Sequence, residues 1–404
     1  MSFEIEKATL GDFLTFKNGR KSPERSENAN FPVFGSNGLI GRSESVNCPE
    51  NTIIIGRVGS YCGSVHFSKE ECWVSDNAIS CSLKNAEEEH FWFYFLTKLN
   101  LNQFSSGSGQ PLLNQATLNA VECEVPHNAS TRVLIGNVLH DYDKKIKLNS
   151  KTNQTLEEMA QAIFKSWFVD FDPVQAKMRG EQPEGMDTAT AALFPDKLVE
   201  SELGLIPEGW EVKPLDKIAE FQNGLALQKF RPESDEDEFL PVLKIAQLRQ
   251  GYCDGKERAR ADIKESCRVY DGDVIFSWSG SLMVDLWTGG NAALNQHLFK
   301  VTSKEYSLPM YLYWTKHHLA SFQQIAKDKA VTMGHIKRSH LSESMCLIPP
   351  KGLQSKFDKI LLPLIEQCIN LRLQSNKLSE LRDTLLPKLL SGEVTLAELE
   401  VQGE

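Results

Sequence analysis

No stretch of this 404-residue sequence approaches the roughly 18 consecutive apolar residues that a membrane-crossing helix needs, so none is expected. The opening residues, Met1 to Phe13, lack a basic stretch followed by an apolar run, so no export signal is expected there. Nine cysteines are scattered without a C-x-x-C pair, which argues against a disulfide framework or a zinc ribbon and for reduced thiols in a cytoplasmic compartment. The chemistry of most nucleotide-driven or hydrolytic enzymes is also missing. There is no G-x-x-x-x-G-K-[ST] phosphate loop, no G-x-G-x-x-G after a strand, no H-E-x-x-H and no G-x-S-x-G. The Asn/Asp-Pro-Pro-aromatic tetrapeptide of amino-group methyltransferases is absent too; Ile348-Pro-Pro350 is flanked by the wrong residues. The carboxylates near Pro195-Asp-Lys197 and in 232–238 read as solvated faces rather than a nuclease site, and no histidine or cysteine spacing suits a metal.

Composition is that of a folded protein: 41% hydrophobic and 24% charged residues, in a length that suits two or three domains. The net charge of −10 disfavours a nucleic-acid partner only until it is located. Residues 171–209 hold eight acidic and three basic side chains, and residues 391–404 hold four acidic and no basic ones. The remainder is close to neutral, which leaves room for local basic surfaces.

The chain repeats itself. Leu10-Gly-Asp-Phe-Leu-Thr-Phe-Lys-Asn-Gly19 is similar to Leu215-Asp-Lys-Ile-Ala-Glu-Phe-Gln-Asn-Gly224, and Phe31-Pro-Val-Phe34 to Leu240-Pro-Val-Leu243. Thr52–Ser60 then matches Asp273–Ser281, and Phe91–Lys98 matches Met310–Lys316. Each half continues with a polar glycine-containing loop and a short helix, Leu112–Leu118 and Ile336–Leu341, and closes on a proline-marked strand, Val121–Pro126 and Met345–Pro350. The shared order predicts two mixed α/β globular domains with short strands.

After each comes a long helical pattern. Ile135, Leu139, Tyr142, Ile146, Asn149, Asn153, Leu156, Ala160, Ile163 and Trp167 recur at alternating spacings of four and three, a heptad seam starting near Ser130-Thr131. Phe357, Leu361, Leu364, Cys368, Leu371, Ser375, Leu378, Arg382, Leu385 and Leu389 do the same. Pro363 is expected to kink that helix or mark its start, and Pro387 with Gly392 to end it. Two seams of equal length favour mutual antiparallel pairing over separate packing onto each globe. The first seam spans roughly 50 Å at 1.5 Å per residue, slightly more than the about 34–36 Å of one DNA turn. The fold class expected is therefore α/β (α+β), with two globular domains separated by a long antiparallel two-helix coiled coil and related by an internal pseudo-twofold repeat.

Several phrases resemble the specificity (S) subunits of type I restriction–modification enzymes. Leu203-Gly-Leu-Ile-Pro-Glu-Gly-Trp-Glu-Val212 is similar to the opening of a target-recognition domain in that family, and Leu156–Pro173 to the end of its central helical region. Gly107–Asn114 and Thr332–Arg338 resemble the motif near the end of each recognition domain, and Leu378–Val394 the C-terminal helical region. The first domain lacks the Ile-Pro-Glu-Gly-Trp phrase, which leaves its start open. The resemblance implies a non-catalytic subunit whose two domains each read half of a bipartite site in double-stranded DNA, in a prokaryotic cytoplasm. It implies partners as well: two methyltransferase (M) subunits using S-adenosylmethionine, and motor-nuclease (R) subunits using ATP and Mg. No cofactor is expected on this chain. Expected boundaries are 1–127 and 207–350 for the recognition domains, 128–170 and 351–390 for the helical spacers, 171–206 for a linker or crossover, and 391–404 for an acidic tail. A scaffold indifferent to DNA and a self-contained modifying enzyme are the competing classes.

Candidate DNA contacts lie in the polar loops, where phosphate and base-edge donors are needed. In the first domain they are Lys17, Asn18, Arg20 and Lys21, then Arg57 and Ser60, then Gln110 and Asn114. In the second they are Gln222, Asn223, Lys229 and Arg231, then Trp278 and Ser281, then Lys327, Lys329, His335, Lys337 and Arg338. Asn18 and Asn223 also suit the Asn-Gly turns they begin, and Trp278 suits a core more readily than a stacking platform. Phe164, Trp167, Phe168 and Phe171 exceed what one seam position buries. They fit either a partner-binding hot spot or packing against the second helix or a globe.

Overall fold

A computed structural model describes residues 3–107, 109–234, 236–328, 334–391 and 393 of the chain. It divides into two compact units, residues 1–146 with 377–404, and residues 147–376. Both boundaries fall inside long helices.

In unit 1 the strands are β1 (Ile5–Thr9), β2 (Leu14–Asn18), β3 (Phe31–Gly35), β4 (Gly38–Ser43), β5 (Thr52–Gly56), β6 (Val65–Ser68), β7 (Trp73–Val74), β8 (Ala78–Leu83) and β9 (Glu122–Pro126). Helices α1 (Leu10–Phe13), α2 (Glu89–Lys98), α3 (Gln115–Ala120) and the start of α4 (Ala129–Phe168) accompany them. Unit 2 continues with α5 (Asp172–Met178), α6 (Thr188–Ala191), β10 (Leu198–Ser201), β11 (Gly204–Pro207), β12 (Glu211–Pro214), α7 (Leu215–Ile218) and β13 (Glu220–Asn223). Then follow β14 (Phe239–Leu243), α8 (Ile245–Gln250), β15 (Arg258–Arg260), β16 (Arg268–Val269), β17 (Val274–Ser277), β18 (Met283–Leu286), β19 (Ala292–Leu294) and β20 (Leu298–Thr302). The series ends with α9 (Leu308–Asp328), α10 (Arg338–Glu343), β21 (Met345–Ile348) and α11 (Lys351–Ser391).

The repeat holds strand by strand. Unit 1 has an antiparallel sheet in the order β2-β8-β5-β6 and unit 2 one in the order β13-β20-β17-β18. Beside it, β3 pairs antiparallel with β4 and parallel with β7, as β14 does with β15 and β19. β1 with β9, and β12 with β21, close each globe. The continuous apolar runs in β5 (Ile53, Ile54, Ile55) and β17 (Val274, Ile275, Phe276) suit central strands covered on both faces, and all six side chains are buried.

The two long helices pair antiparallel within each unit. In unit 1, Leu386 and Leu389 of α11 are buried with Ile135 and Leu139 of α4, and Arg382 forms an ion pair with Asp143. In unit 2, the Asn149 amide donates to Gln374 Oε1 at 2.8 Å and to Ser375 Oγ at 3.3 Å, while Cys368 lies against the Asn153 carbonyl. The Asn149 amide therefore meets polar partners across the seam, which is how a buried amide fixes register, whereas the Asn153 side-chain oxygen is buried without a partner.

Three expectations give way. α11 begins at Lys351, so Pro363 does not mark its start; the helix runs through Pro387 and ends at Ser391, directly before Gly392, as expected. Pro363 faces solvent while Leu361 and Ile365 are buried in the unit 2 core, so packing on the opposite face offsets the lost N–H bond. The stretch 171–206 is no plain linker: it forms α5, α6 and the β10–β11 hairpin, and buries Val174, Ala191 and Phe194. Most of the acidic tail, with Gly392, lies outside the described residues.

The third concerns Phe164, Trp167 and Phe168. They are buried in the unit 2 core, packed edge-on or tilted against Trp314, Phe194, Trp210 and Phe357 at centroid distances of 4.7–5.5 Å, and half-buried Phe171 packs edge-on against Trp210. Rings spent on the core cannot form a partner-docking surface, and packing against a globe is what the aromatic excess reflects.

Two histidines make stability depend on pH. His90 is held down to about 4 by burial and by His140, whose ring stacks on it at 3.7 Å. His318 is also held down to about 4, by burial and by His317. Unfolding frees each to titrate near 6.5, so the unfolded state binds more protons between those values. Their contribution is complete above about pH 6.5 and is lost as pH falls toward 4. Urea unfolding midpoints of the full chain should drop over that window, and His90→Phe, which keeps the stack, should shrink the drop for unit 1.

Candidate nucleic-acid interface

Most of the candidate residues sit in or beside three turns that meet in each unit, while Lys229 and Arg231 lie beyond the first of them and Lys327 in the last turn of α9; the same backbone hydrogen bonds build both meetings. β2 ends at Asn18-Gly19, where the Gly19 N–H donates to the Ala78 carbonyl and the Arg20 N–H to the Val74 carbonyl, both at 3.0 Å. β13 ends at Asn223-Gly224, where the Gly224 N–H donates to Leu298 O at 3.2 Å and the Leu225 N–H to Leu294 O at 2.8 Å. A Cβ would stand 2.0 Å from a backbone oxygen at Gly19 and 2.2 Å from one at Gly224, so only glycine lets the chain cross the neighbouring strand there.

The second turn follows β5 and β17. The Arg57 N–H donates to Asn77 O at 2.9 Å, and the Trp278 N–H to His297 O at 3.4 Å. The third turn is the late polar loop. Leu113 N–H donates to Arg57 O and Gly59 N–H to Pro111 O; Ile336 N–H donates to Trp278 O and Gly280 N–H to Gly334 O. These bonds equate Arg57 with Trp278, Ser60 with Ser281, and Asn114 with Lys337. They also equate the turn Ser75-Asp76-Asn77 with Asn295-Gln296-His297, each joined by a parallel bridge to Arg20 or Leu225.

In unit 1, Lys17, Asn18, Arg20, Lys21, Ser60 and Gln110 are exposed. Arg57 is half-buried and reaches Asp76 O through Nη1 at 3.2 Å. Asn114 is exposed but caps α3, accepting from Thr117 N–H at 2.9 Å. In unit 2, Lys229, Arg231, Ser281, Lys327, His335 and Lys337 are exposed. Gln222 donates to the Asn223 carbonyl, and Asn223 buries its side-chain oxygen. Trp278 is half-buried beside His297, Phe299 and His335. Arg338 is tied to the scaffold, donating to Phe221 O at 3.0 Å and lying 5.3 Å over the Phe299 ring. Lys329 lies outside the described residues.

Sequence reasoning missed one feature. An open groove of about 1120 Å³ in unit 2 runs along β14 and the 295–297 turn, and Arg231, Lys244, Lys256 and Arg258 are among its lining residues. The repeat alignment carried the signal, since pairing Ser75 with Asn295 brings 295–297 beside Leu225. Among the described residues, no cluster of histidine, cysteine or carboxylate could hold a metal ion, and no helix is long and apolar enough to cross a membrane.

The family model described as the type I restriction modification DNA specificity domain matches residues 4–158 and again 207–381. The chain is 29% identical over 324 residues to the type I restriction enzyme MjaIX specificity subunit of Methanocaldococcus jannaschii, covering 77% of this chain and 70% of that one. It is 25% identical over 330 residues to the HindI specificity subunit of Haemophilus influenzae, covering 70% and 71%. The crystal structure of a type I restriction–modification S subunit from M. genitalium shares the fold, with a TM-score of 0.63 over 96% of each chain at 14% identity.

Proposed function

Because this chain belongs to the specificity-subunit family of type I restriction–modification systems, a DNA-recognition family, we propose that it reads a two-part sequence in double-stranded DNA, one part per repeat. Residues 1–127 and 207–350 act as the recognition domains. The paired segments of α4 and α11 set the gap between the parts and dock two methyltransferase subunits. Those partners supply S-adenosylmethionine-dependent methylation, and motor-nuclease subunits using ATP and Mg join them for cleavage. This chain contributes recognition and holds no cofactor of its own.

One observation carries the reading. An identical backbone frame presents different side chains at equivalent loop positions, Arg57 against Trp278, Asn114 against Lys337, and Ser-Asp-Asn against Asn-Gln-His. A constant frame with exchanged loop chemistry is what two readers of unlike base sequences require. The loop amides and guanidinium groups are those that pair with adenine and guanine edges. Selection from a random duplex library, using the full chain with its methyltransferase partner, should return two short fixed sequences separated by unspecified bases. A pool without sequence preference would favour a DNA-indifferent scaffold, and methylation by the chain alone would favour a self-contained enzyme.

A further inference from the structure

We propose that the unit 2 groove is the surface that reads the second half-site, and that Gln296 specifies a base there by presenting hydrogen-bond donors. This rests on the DNA-recognition reading above and names the residue behind one position of the site.

The orientation of Gln296 follows from a chain of unambiguous bonds. The His297 backbone N–H can only donate, and it meets Asn295 Oδ1 at 3.2 Å. The other arm of Asn295, a residue only 7% exposed, is therefore its NH2 group, which donates to Gln296 Oε1 at 3.1 Å. The Gln296 backbone is fixed as well, its N–H donating to Leu225 O at 3.0 Å. Gln296 is thus held by its oxygen, and its NH2 group has no acceptor among the described residues. In a groove it offers donors, which match base edges that accept: guanine N7 and O6, adenine N7, or thymine O4.

Four basic side chains line the groove against two acidic ones, Glu233 and Glu257, the latter paired with Lys244, and this modest positive balance suits a polyanion. Arg231 is exposed on the groove and has no ion-pair partner among the described residues. Lys256 pairs with Asp254 at 3.2 Å while remaining 84% exposed, a contact weak enough to yield to a phosphate. The volume slightly exceeds the usual range of small-molecule sites, about 300–1,000 Å³. His297 lines the groove, meets Ser279 Oγ at 3.0 Å and lies 5.9 Å from the Trp278 ring, so the groove adjoins the 278–281 loop. In unit 1 the equivalent of Gln296 is exposed Asp76, a carboxylate that only accepts, matching a donor edge such as cytosine N4. The two units therefore offer opposite hydrogen-bonding character at the same place in the frame.

The test is duplex selection with the full chain and its methyltransferase partner, comparing wild type, Gln296→Ala, Gln296→Glu and Arg231→Ala. Gln296→Ala should reduce discrimination roughly ten- to a hundredfold at one position of the second half-site. Gln296→Glu keeps the Asn295 bond and should move that position toward a donor-edge base, leaving the first half-site unchanged. Arg231→Ala should weaken all sequences alike and flatten the salt dependence by about one charge. If both Gln296 variants melt like wild type yet select the wild-type sequence, or change the first half-site instead, the groove assignment is overturned. If wild type itself selects no two-part sequence, the functional reading fails and the assignment falls with it.

Discussion

Replacing Arg132 by alanine is expected to destabilise unit 1 by about 3–5 kcal/mol, because it leaves a buried carboxylate without its counter-charge. Arg132 and Glu88 are 5% and 2% exposed. The guanidinium grips Glu88 with two parallel bonds of 2.9 Å, donates to Pro126 O at 2.6 Å and His127 O at 3.0 Å, and lies 4.9 Å over the Phe13 ring. Burial pushes the Glu88 carboxyl upward, but Arg132 and the Trp92 indole N–H outweigh it and hold the group below its ordinary value. The pair thus stabilises fully above the ordinary carboxylate range and loses that contribution in acid. Because Trp92 donates to Glu88 at 2.8 Å, tryptophan fluorescence during urea unfolding reports the transition. Glu88→Leu combined with Arg132→Met should recover most of the loss, since filling the site with apolar groups removes the uncompensated charge. An Arg132→Ala protein as stable as wild type would show that this pair does not anchor α4 to its globe. Unit 2 makes the same attachment with a neutral side chain: Gln354, at the same place in α11, donates to Pro349 O at 2.8 Å.

Exchanging residues 1–127 for the corresponding domain of another family member should change one half of the recognised sequence completely and leave the other half as it was. The junction is physically reasonable. β1 pairs with β9 to close the first globe just before α4 begins, so the exchange carries all three unit 1 sheets with it. Lengthening α4 and α11 together by matching heptads should instead widen the gap and leave both halves intact. Methylated-site sequencing of cells carrying each variant reads both outcomes. Changes scattered through both halves would contradict independent reading.

The repeat was legible because strands and turns recur in order, and Asn18-Gly19 with Asn223-Gly224 marks the same crossing in each half. The helical seams were legible from spacing alone, down to the polar positions at Asn149 and Arg382. What spacing cannot convey is the partner. Whether Phe164, Trp167 and Phe168 face another protein or their own core depends on Trp210, Trp314 and Phe357, all more than 40 positions away. The Glu88–Arg132 pair was hidden for the same reason, since two charges 44 positions apart give no local signal that they are buried together. Pro363 does not mark the start of α11, because its intrinsic effect is local whereas the helix around it is held by packing of Leu361 and Ile365. The groove went unnoticed because its lining comes from residues 227–297, scattered over several elements.

The most direct measurement is genome-wide sequencing of methylated bases in the host with and without this gene. Deletion is expected to remove methylation from one motif made of two short, unlike sequences separated by a fixed run of unspecified bases. An unchanged methylation pattern in a host whose methyltransferase subunit is active, or the loss of a single uninterrupted motif, would contradict it.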